Sequence, residues 1–188
     1  MVNRGQKYHR KSIRLTGYDY TQNGAYFITI CTYKKQCWFG NIVDGKMQSN
    51  YLGKIVLNFW QALPNRFFNL KIDTFIIMPN HLHGILILEN LAHASENHNA
   101  EQFGKPIAGS IPTVIRSFKS AVTKRINTMR SGTYPPIWQR NYYESIIRNE
   151  AVLDAVRAYI NNNPLQWHQD RNYQSNLAFP EESLNLDF

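Results

Sequence analysis

The segment FIIMPNHLHGILIL, residues 75–88, constrains the fold of this chain more than any other. Two apolar runs meet at Pro79-Asn80, and both are too uniformly apolar to lie with one face in water. They therefore read as central strands of a covered sheet. The second run opens with His81 and His83. Side chains at i and i+2 leave a strand on the same face, so the two imidazoles point together while Leu82 faces the opposite layer. Two imidazoles side by side can hold one divalent cation. They can equally be a pair of hydrogen-bonded core histidines, and these residues alone leave both readings open.

The remaining segments supply partners for those strands. AYFITICTY (25–33) is aromatic and β-branched and reads as a long strand; NIVDGKMQ follows as a small hairpin with Asp44-Gly45 at its turn. In SNYLGKIVLNFWQALPNRF, apolar Leu52, Ile55, Val56, Phe59, Trp60 and Leu63 recur at three and four after a Ser49/Asn50 cap. Pro64 marks the end of that helix. SIPTVIRSFKSAVTKRINTMR is an amphipathic basic helix with Val114, Ile115, Phe118, Val122 and Ile126 on one face. IWQRNYYESIIR contains a short strand. In NEAVLDAVRAYINNNP, Asn149 caps a last helix whose stripe is Val152, Ala155, Val156, Tyr159 and Ile160, closed at Asn163-Pro164.

This order predicts an α+β fold: a central antiparallel sheet of four or five strands, two main helices packed on one face and the basic helix beside them. The length of 188 residues suits one domain spanning 1–188. A basic N-terminal arm is expected over about 1–22, a polar, flexible surface loop over about 89–109 and an irregular tail over about 165–188.

Lysine and arginine number 21 against 13 acidic residues, a formal charge of +8. That excess points to an anionic partner, nucleic acid before membrane, since no apolar run approaches the ~18 residues of a span. The N-terminus has no apolar signal-peptide core, and Cys31 and Cys37 have no Cys or His at metal spacing, so a reducing cytoplasm is expected. The arm interleaves Arg4, Lys7, Arg10, Lys11 and Arg14 with Tyr8, Tyr18 and Tyr20, which suits phosphate contacts and base stacking. The candidate nucleic-acid-binding cations are Arg14, Arg116, Lys119, Lys124, Arg125, Arg140 and Arg148.

Tyr159 and Asn163 are four apart and share a helical face. Singly, one is a core aromatic and the other a C-cap; with the histidine pair they are a candidate ligand and nucleophile. The ordered set SIRLTGYDYTQNGAYFITICT, MPNHLHGILIL, SFKSAVTKRIN, IWQRNYYESIIRNE and YINNNP resembles the single-tyrosine HUH transposases, specifically the REP-associated tyrosine transposases of the insertion-sequence-200-like group. The resemblance covers most of the chain.

It implies a ferredoxin-like, RRM-like core, with His81, His83 and Asn163 holding Mg²⁺ or Mn²⁺ and Tyr159 as nucleophile. The implied activity is metal-dependent DNA transposition, or single-strand cleavage and strand transfer, at hairpin-forming palindromic repeats through a covalent 5′-phosphotyrosine with a free 3′-OH. DNA is the implied partner, in a bacterial cytoplasm and on the nucleoid when bound; a homodimer, with the tyrosine acting in cis or in trans, stays open. Mixed nitrogen and oxygen ligation suits a divalent ion that must also bind a phosphate oxygen. Two alternatives stand beside this reading: a non-catalytic hairpin-DNA-binding relative, and a phosphodiesterase using water. Tyr142 and Tyr143 are competing tyrosines, Glu144 is a further candidate base or outer partner, and Ser145 stands where relatives often carry histidine.

Overall fold

The computed structural model describes residues 22–89, 108–130 and 134–173. Arg14, nearly all of the expected arm, most of the expected loop and residues 174–188 of the expected tail lie outside the described residues.

The elements follow in the order β1 (Gly24–Cys31), β2 (Gly40–Val43), β3 (Lys46–Ser49), α1 (Tyr51–Gln61), α2 (Leu63–Arg66), β4 (Leu70–Met78), β5 (His81–Leu88), α3 (Ile111–Asn127), β6 (Tyr143–Ile147) and α4 (Glu150–Asn162). Four strands form one sheet in the order β4-β5-β1-β6, every neighbouring pair antiparallel. With α1 between β1 and β4 and α3 between β5 and β6, this is the βαββαβ connectivity of a ferredoxin-like core. The chain adds to it the β2–β3 hairpin and α4. Asp44 (φ 50°) and Gly45 (φ 69°) both take the left-handed conformation that a two-residue hairpin turn requires. The Asn50 side chain accepts from the Gly53 N–H and so caps α1, and Asn149 caps α4 by accepting from Val152.

Period-two alternation divides the sheet into two faces. Tyr26, Ile28, Ile30, Leu82, Leu86 and Leu88 point to one side, where they pack against Leu52, Val56 and Trp60 of α1 and Val114, Phe118 and Val122 of α3. Gly84 faces this side too, opposite Ile28, and a Cβ there would come within 2.6 Å of the Trp60 ring, so the indole rests directly on the β5 backbone. Ile85, with Phe27, Ile76 and Ile87, points to the other side and packs against Leu153, Val156 and Ile160 of α4.

The helices are thus grouped differently from the sequence expectation. The basic helix α3 pairs with α1, and α4 alone covers the second face. The physical reason is that β5 is apolar on both faces, so each face requires a layer of its own. The stripe of α4 is also rotated relative to that expectation: Leu153 and Ile160 are buried, whereas Val152 is 42% and Tyr159 37% exposed. Tyr159 sits at the rim of the layer.

Two lengths bring α4 to the site. β6 leaves the neighbourhood of Thr29 at Tyr143 and reaches Ala25 at Ile147, a travel of about 13 Å at ~3.3 Å per residue. The nine helical steps from Glu150 to Tyr159 return about 13.5 Å at ~1.5 Å per residue. The helix is pinned on its way by Arg157, whose Nε and Nη2 donate to the two carboxylate oxygens of Asp73 on β4 at 2.9 and 2.7 Å.

The Arg157 hydrogen bonds pull the Asp73 carboxyl down to about 2 from its ordinary 3.8, with Thr74 adding further donors. A depressed carboxyl stabilises the fold above its unfolded pKa, and that contribution disappears as pH falls through about 2. Asp73→Asn is therefore expected to lower stability by about 1–2 kcal/mol at neutral pH, with the gap from wild type closing between about pH 4 and pH 2 in a pH series of urea unfolding curves.

Candidate active site

His81 and His83 are both fully buried on the face that α4 covers, their ring centroids 4.4 Å apart. Each is oriented by its Nδ1. That of His83 lies 2.8 Å from Thr29 Oγ1, directly across the β1–β5 ladder, and that of His81 lies 2.8 Å from Asn80 Oδ1. The Asn80 amide has a determined orientation, because its Nδ2 donates to the carbonyls of Lys35 (2.9 Å) and Asn172 (2.8 Å). Its Oδ1 must then accept, which places the His81 proton on Nδ1 and leaves Nε2 with a bare lone pair.

Among the described residues that Nε2 makes no hydrogen bond, and neither does Oδ1 of Asn163, which is 2% exposed and close enough to act on the His81 ring electrostatically. The Asn163 Nδ2 donates to Asp170 Oδ2 at 2.9 Å. Tyr159 reaches the same place from one turn earlier on α4, its phenol oxygen 3.2 Å from His83 Nε2 and 3.4 Å from Asp170 Oδ2. One nitrogen of each imidazole and one Asp170 oxygen lie within 4.8 Å of one another. Two neutral nitrogens, a carboxylate and an amide oxygen, two of them buried without partners, form a donor set that fits a divalent cation taking mixed N and O ligands. An orphaned buried polar group costs about 1–3 kcal/mol, which coordination would recover.

Asp170 went unrecognised in the sequence because it lies in the part of the chain read as an irregular tail. Pro164 follows the end of α4, and a single turn of 3₁₀ helix, Trp167–Gln169, comes after it. Trp167 is 4% exposed, packs with Met78 and Cys37, and stacks at a tilt 6.0 Å from the His81 ring. The segment behind it is tied down by Lys35 Nζ donating to the Arg171 carbonyl and Asn80 donating to that of Asn172. A tryptophan followed three residues later by a lone acid was the available signal, and neither carries a period.

Burial dominates the electrostatics. It holds His81 down at about 4, with the Asp170 charge and the Asn163 amide pulling the other way. Burial, then the neighbouring His81, hold His83 well below the usual histidine range. Both imidazoles are consequently neutral at physiological pH, the form a metal ligand requires. The Tyr159 phenol is pushed up, first by burial and then by the Asp170 charge.

No protein-family model matches the chain. An uncharacterized protein of Haemophilus influenzae (strain Rd) is 42% identical to it over 171 residues, 88% of this chain and 94% of that one. The chain belongs to that protein's family. Among solved structures, a REP-associated tyrosine transposase bound to a REP hairpin matches 95% of this chain and 97% of its own, with a TM-score of 0.54 at 14% identity. The resemblance drawn from the motifs therefore holds for the fold, which is that of a REP-associated tyrosine transposase.

Within this transposase fold the other candidates separate by face. Glu144 pairs with Ile28, so it points to the α1–α3 side and accepts from the Tyr142 hydroxyl at 2.5 Å, away from the histidines. Tyr143 pairs with Thr29 and Ser145 with Phe27, both on the histidine side. Arg116, Lys124, Arg125, Arg140 and Arg148 are exposed. Lys119 is different: its Nζ donates to the Gln139 carbonyl at 2.5 Å and lies 3.3 and 3.4 Å from those of Arg140 and Asn141. Burial holds its ammonium down at about 8. Its donors clasp the segment leading into β6, while Lys124 and Arg140 flank an open groove of about 460 Å³ beside it. Arg148 follows Ile147, at the end of β1 remote from the histidines.

The orientation of His81 by Asn80 carries a measurable consequence. Asn80→Ala frees the His81 tautomer and the 170–172 segment together, and Mn²⁺ affinity measured by calorimetry is expected to fall by about 10- to 100-fold. Thr29→Val, which touches only His83, is expected to fall by less.

Proposed function

We propose that this chain is a metal-dependent transposase that cleaves and rejoins single-stranded DNA with Tyr159 as its nucleophile. The observation that carries the reading is the phenol oxygen at 3.2 Å from His83 Nε2, inside a cluster whose free lone pairs converge. Mg²⁺ or Mn²⁺, held by His81, His83 and an oxygen of Asn163 or Asp170, would neutralise a phosphate oxygen of the substrate and favour the phenolate.

The residues of the chain do the rest. The α4 backbone and the Phe27 ring, edge-on at 6.0 Å, hold the phenol at the mouth of the site. The phenol proton has Asp170 Oδ2 within reach at 3.4 Å. Attack on phosphorus forms the tyrosyl O–P bond as the P–O3′ bond breaks, and the departing 3′ oxygen takes up a proton. The linkage conserves the phosphodiester energy, so a second strand's 3′-OH can reverse the step without an external energy source.

Hairpin-forming palindromic DNA is the substrate this reading favours. The solved neighbour was bound to a REP hairpin, and the chain's +8 charge and exposed cations suit a polyanion. Among the described residues no helix is long and apolar enough to cross a membrane. Action on DNA in the cytoplasm is part of the same proposal.

Incubation with labelled single-stranded hairpin DNA and Mn²⁺ is expected to give a denaturation-resistant protein–DNA adduct that is abolished by chelation. In Tyr159→Phe, adduct and cleavage are expected to fall together by roughly three orders of magnitude or more. Cleavage that persists in this variant without an adduct would instead indicate water as nucleophile, and hairpin binding without cleavage by wild type would indicate a purely DNA-holding protein.

A further inference from the structure

We propose that Phe27, Tyr143 and Arg171 form a stacking subsite for the unpaired nucleobase adjoining the phosphate that Tyr159 attacks. The location of that base relative to the reaction rests on the reading of Tyr159 above; the stacking itself does not.

The register of the sheet builds the subsite. Tyr143, the first residue of edge strand β6, pairs with Thr29 and so shares the face of His83. Phe27, two residues before Thr29, is the common neighbour: its ring centroid lies 5.4 Å from that of His83, 6.0 Å from Tyr159 and 6.3 Å from Tyr143. Tyr159 and Tyr143 therefore both meet the same Phe27 ring edge-on. Against Tyr143, at 5.8 Å from its ring centroid, lies the guanidinium of Arg171. Beside this group opens a cleft of about 420 Å³, within the size range of sites for small organic groups; Phe27 and Arg171 line it together with Tyr159, Asn163, Asp170 and two glutamines, and Tyr143 borders it through its contacts with Phe27 and Arg171.

The core does not account for this arrangement. Tyr143 leaves 40% of its surface in water and belongs to none of the apolar clusters. Arg171 is exposed and makes no ion pair among the described residues, yet its backbone is held firmly. Lys35 Nζ donates to its carbonyl at 2.9 Å, and Asp170 Oδ1 accepts from the next N–H at 2.5 Å. A cation presented from a fixed backbone over an exposed aromatic ring is the combination that binds single-stranded nucleic acid, the ring stacking on a base and the guanidinium meeting the flanking phosphate. An apolar peptide would satisfy the ring but leave the cation unmatched. Because every base has a π-face, the subsite sets the position of the strand and reads none of its sequence.

The test uses the full chain, EDTA to suppress cleavage, and a fluorescein-labelled 15-nucleotide oligothymidylate. Tyr143→Ala is expected to weaken binding about tenfold, and Tyr143→Phe, which keeps the ring, to stay within about twofold of wild type. On an abasic oligonucleotide of the same length, wild type and Tyr143→Ala are expected to bind equally. Arg171→Gln should lower the slope of log Kd against log salt by about 0.7, one single-strand phosphate contact. Photo-cross-linking of a 5-iodouracil oligonucleotide should map to Tyr143. Unchanged oligothymidylate binding by Tyr143→Ala, or an equal loss on the abasic strand, overturns the proposal. A missing Tyr159 adduct beside an intact Tyr143 effect removes strand transfer and keeps the subsite; an adduct without a Tyr143 effect does the reverse.

Discussion

Asn80, fully buried in the turn between β4 and β5, joins three segments that are remote in sequence through one side-chain amide. Its Nδ2 donates to the carbonyls of Lys35 and Asn172, and its Oδ1 accepts from the His81 Nδ1–H. A buried primary amide without partners is expensive, so satisfying all of its bonds at once ties the first strand's exit, the histidine strand and the post-α4 segment to one point. The tautomer of His81 and the position of Asp170 are thereby set by the same group. Thr29 performs the smaller version of this task for His83 from the neighbouring strand.

The sheet divides its labour between two faces. The side under α1 and α3 is a packing layer in which Trp60 lies on Gly84 and Phe118 meets the Trp60 ring edge-on at 5.1 Å. The side under α4 has fewer apolar groups, and its end near Thr29 holds imidazole, amide, carboxylate and phenol together. Low dielectric keeps both imidazoles neutral and the phenol protonated. A divalent cation held there would reverse that last preference, since it would favour the charged form of every oxygen around it.

Local periodicity made much of this readable in advance. A spacing of two on a strand requires His81 and His83 to share a face, and a spacing of four on a helix requires Tyr159 and Asn163 to do the same. The Asp44-Gly45 turn, the Asn149 cap and the basic amphipathic helix are likewise properties of short segments, and all appear where expected. Lys119 shows the limit: its spacing marked it as a solvent-facing cation of a basic helix, yet three carbonyls of a distant segment surround its ammonium.

What the amino-acid order determined by itself, then, is which side chains travel together: the histidine pair, the tyrosine with its amide, and the alternating faces of each strand. Tertiary structure alone decided which of these groups meet. The register of β6 on β1 sent Glu144 to one face and Tyr143 to the other, the return length of α4 delivered Tyr159 to His83, and the fold-back after Pro164 brought in Asp170. The reason is physical: a repeat pattern specifies direction around a single strand or helix axis, whereas contact between two axes depends on register, crossing and loop closure, which no local period encodes.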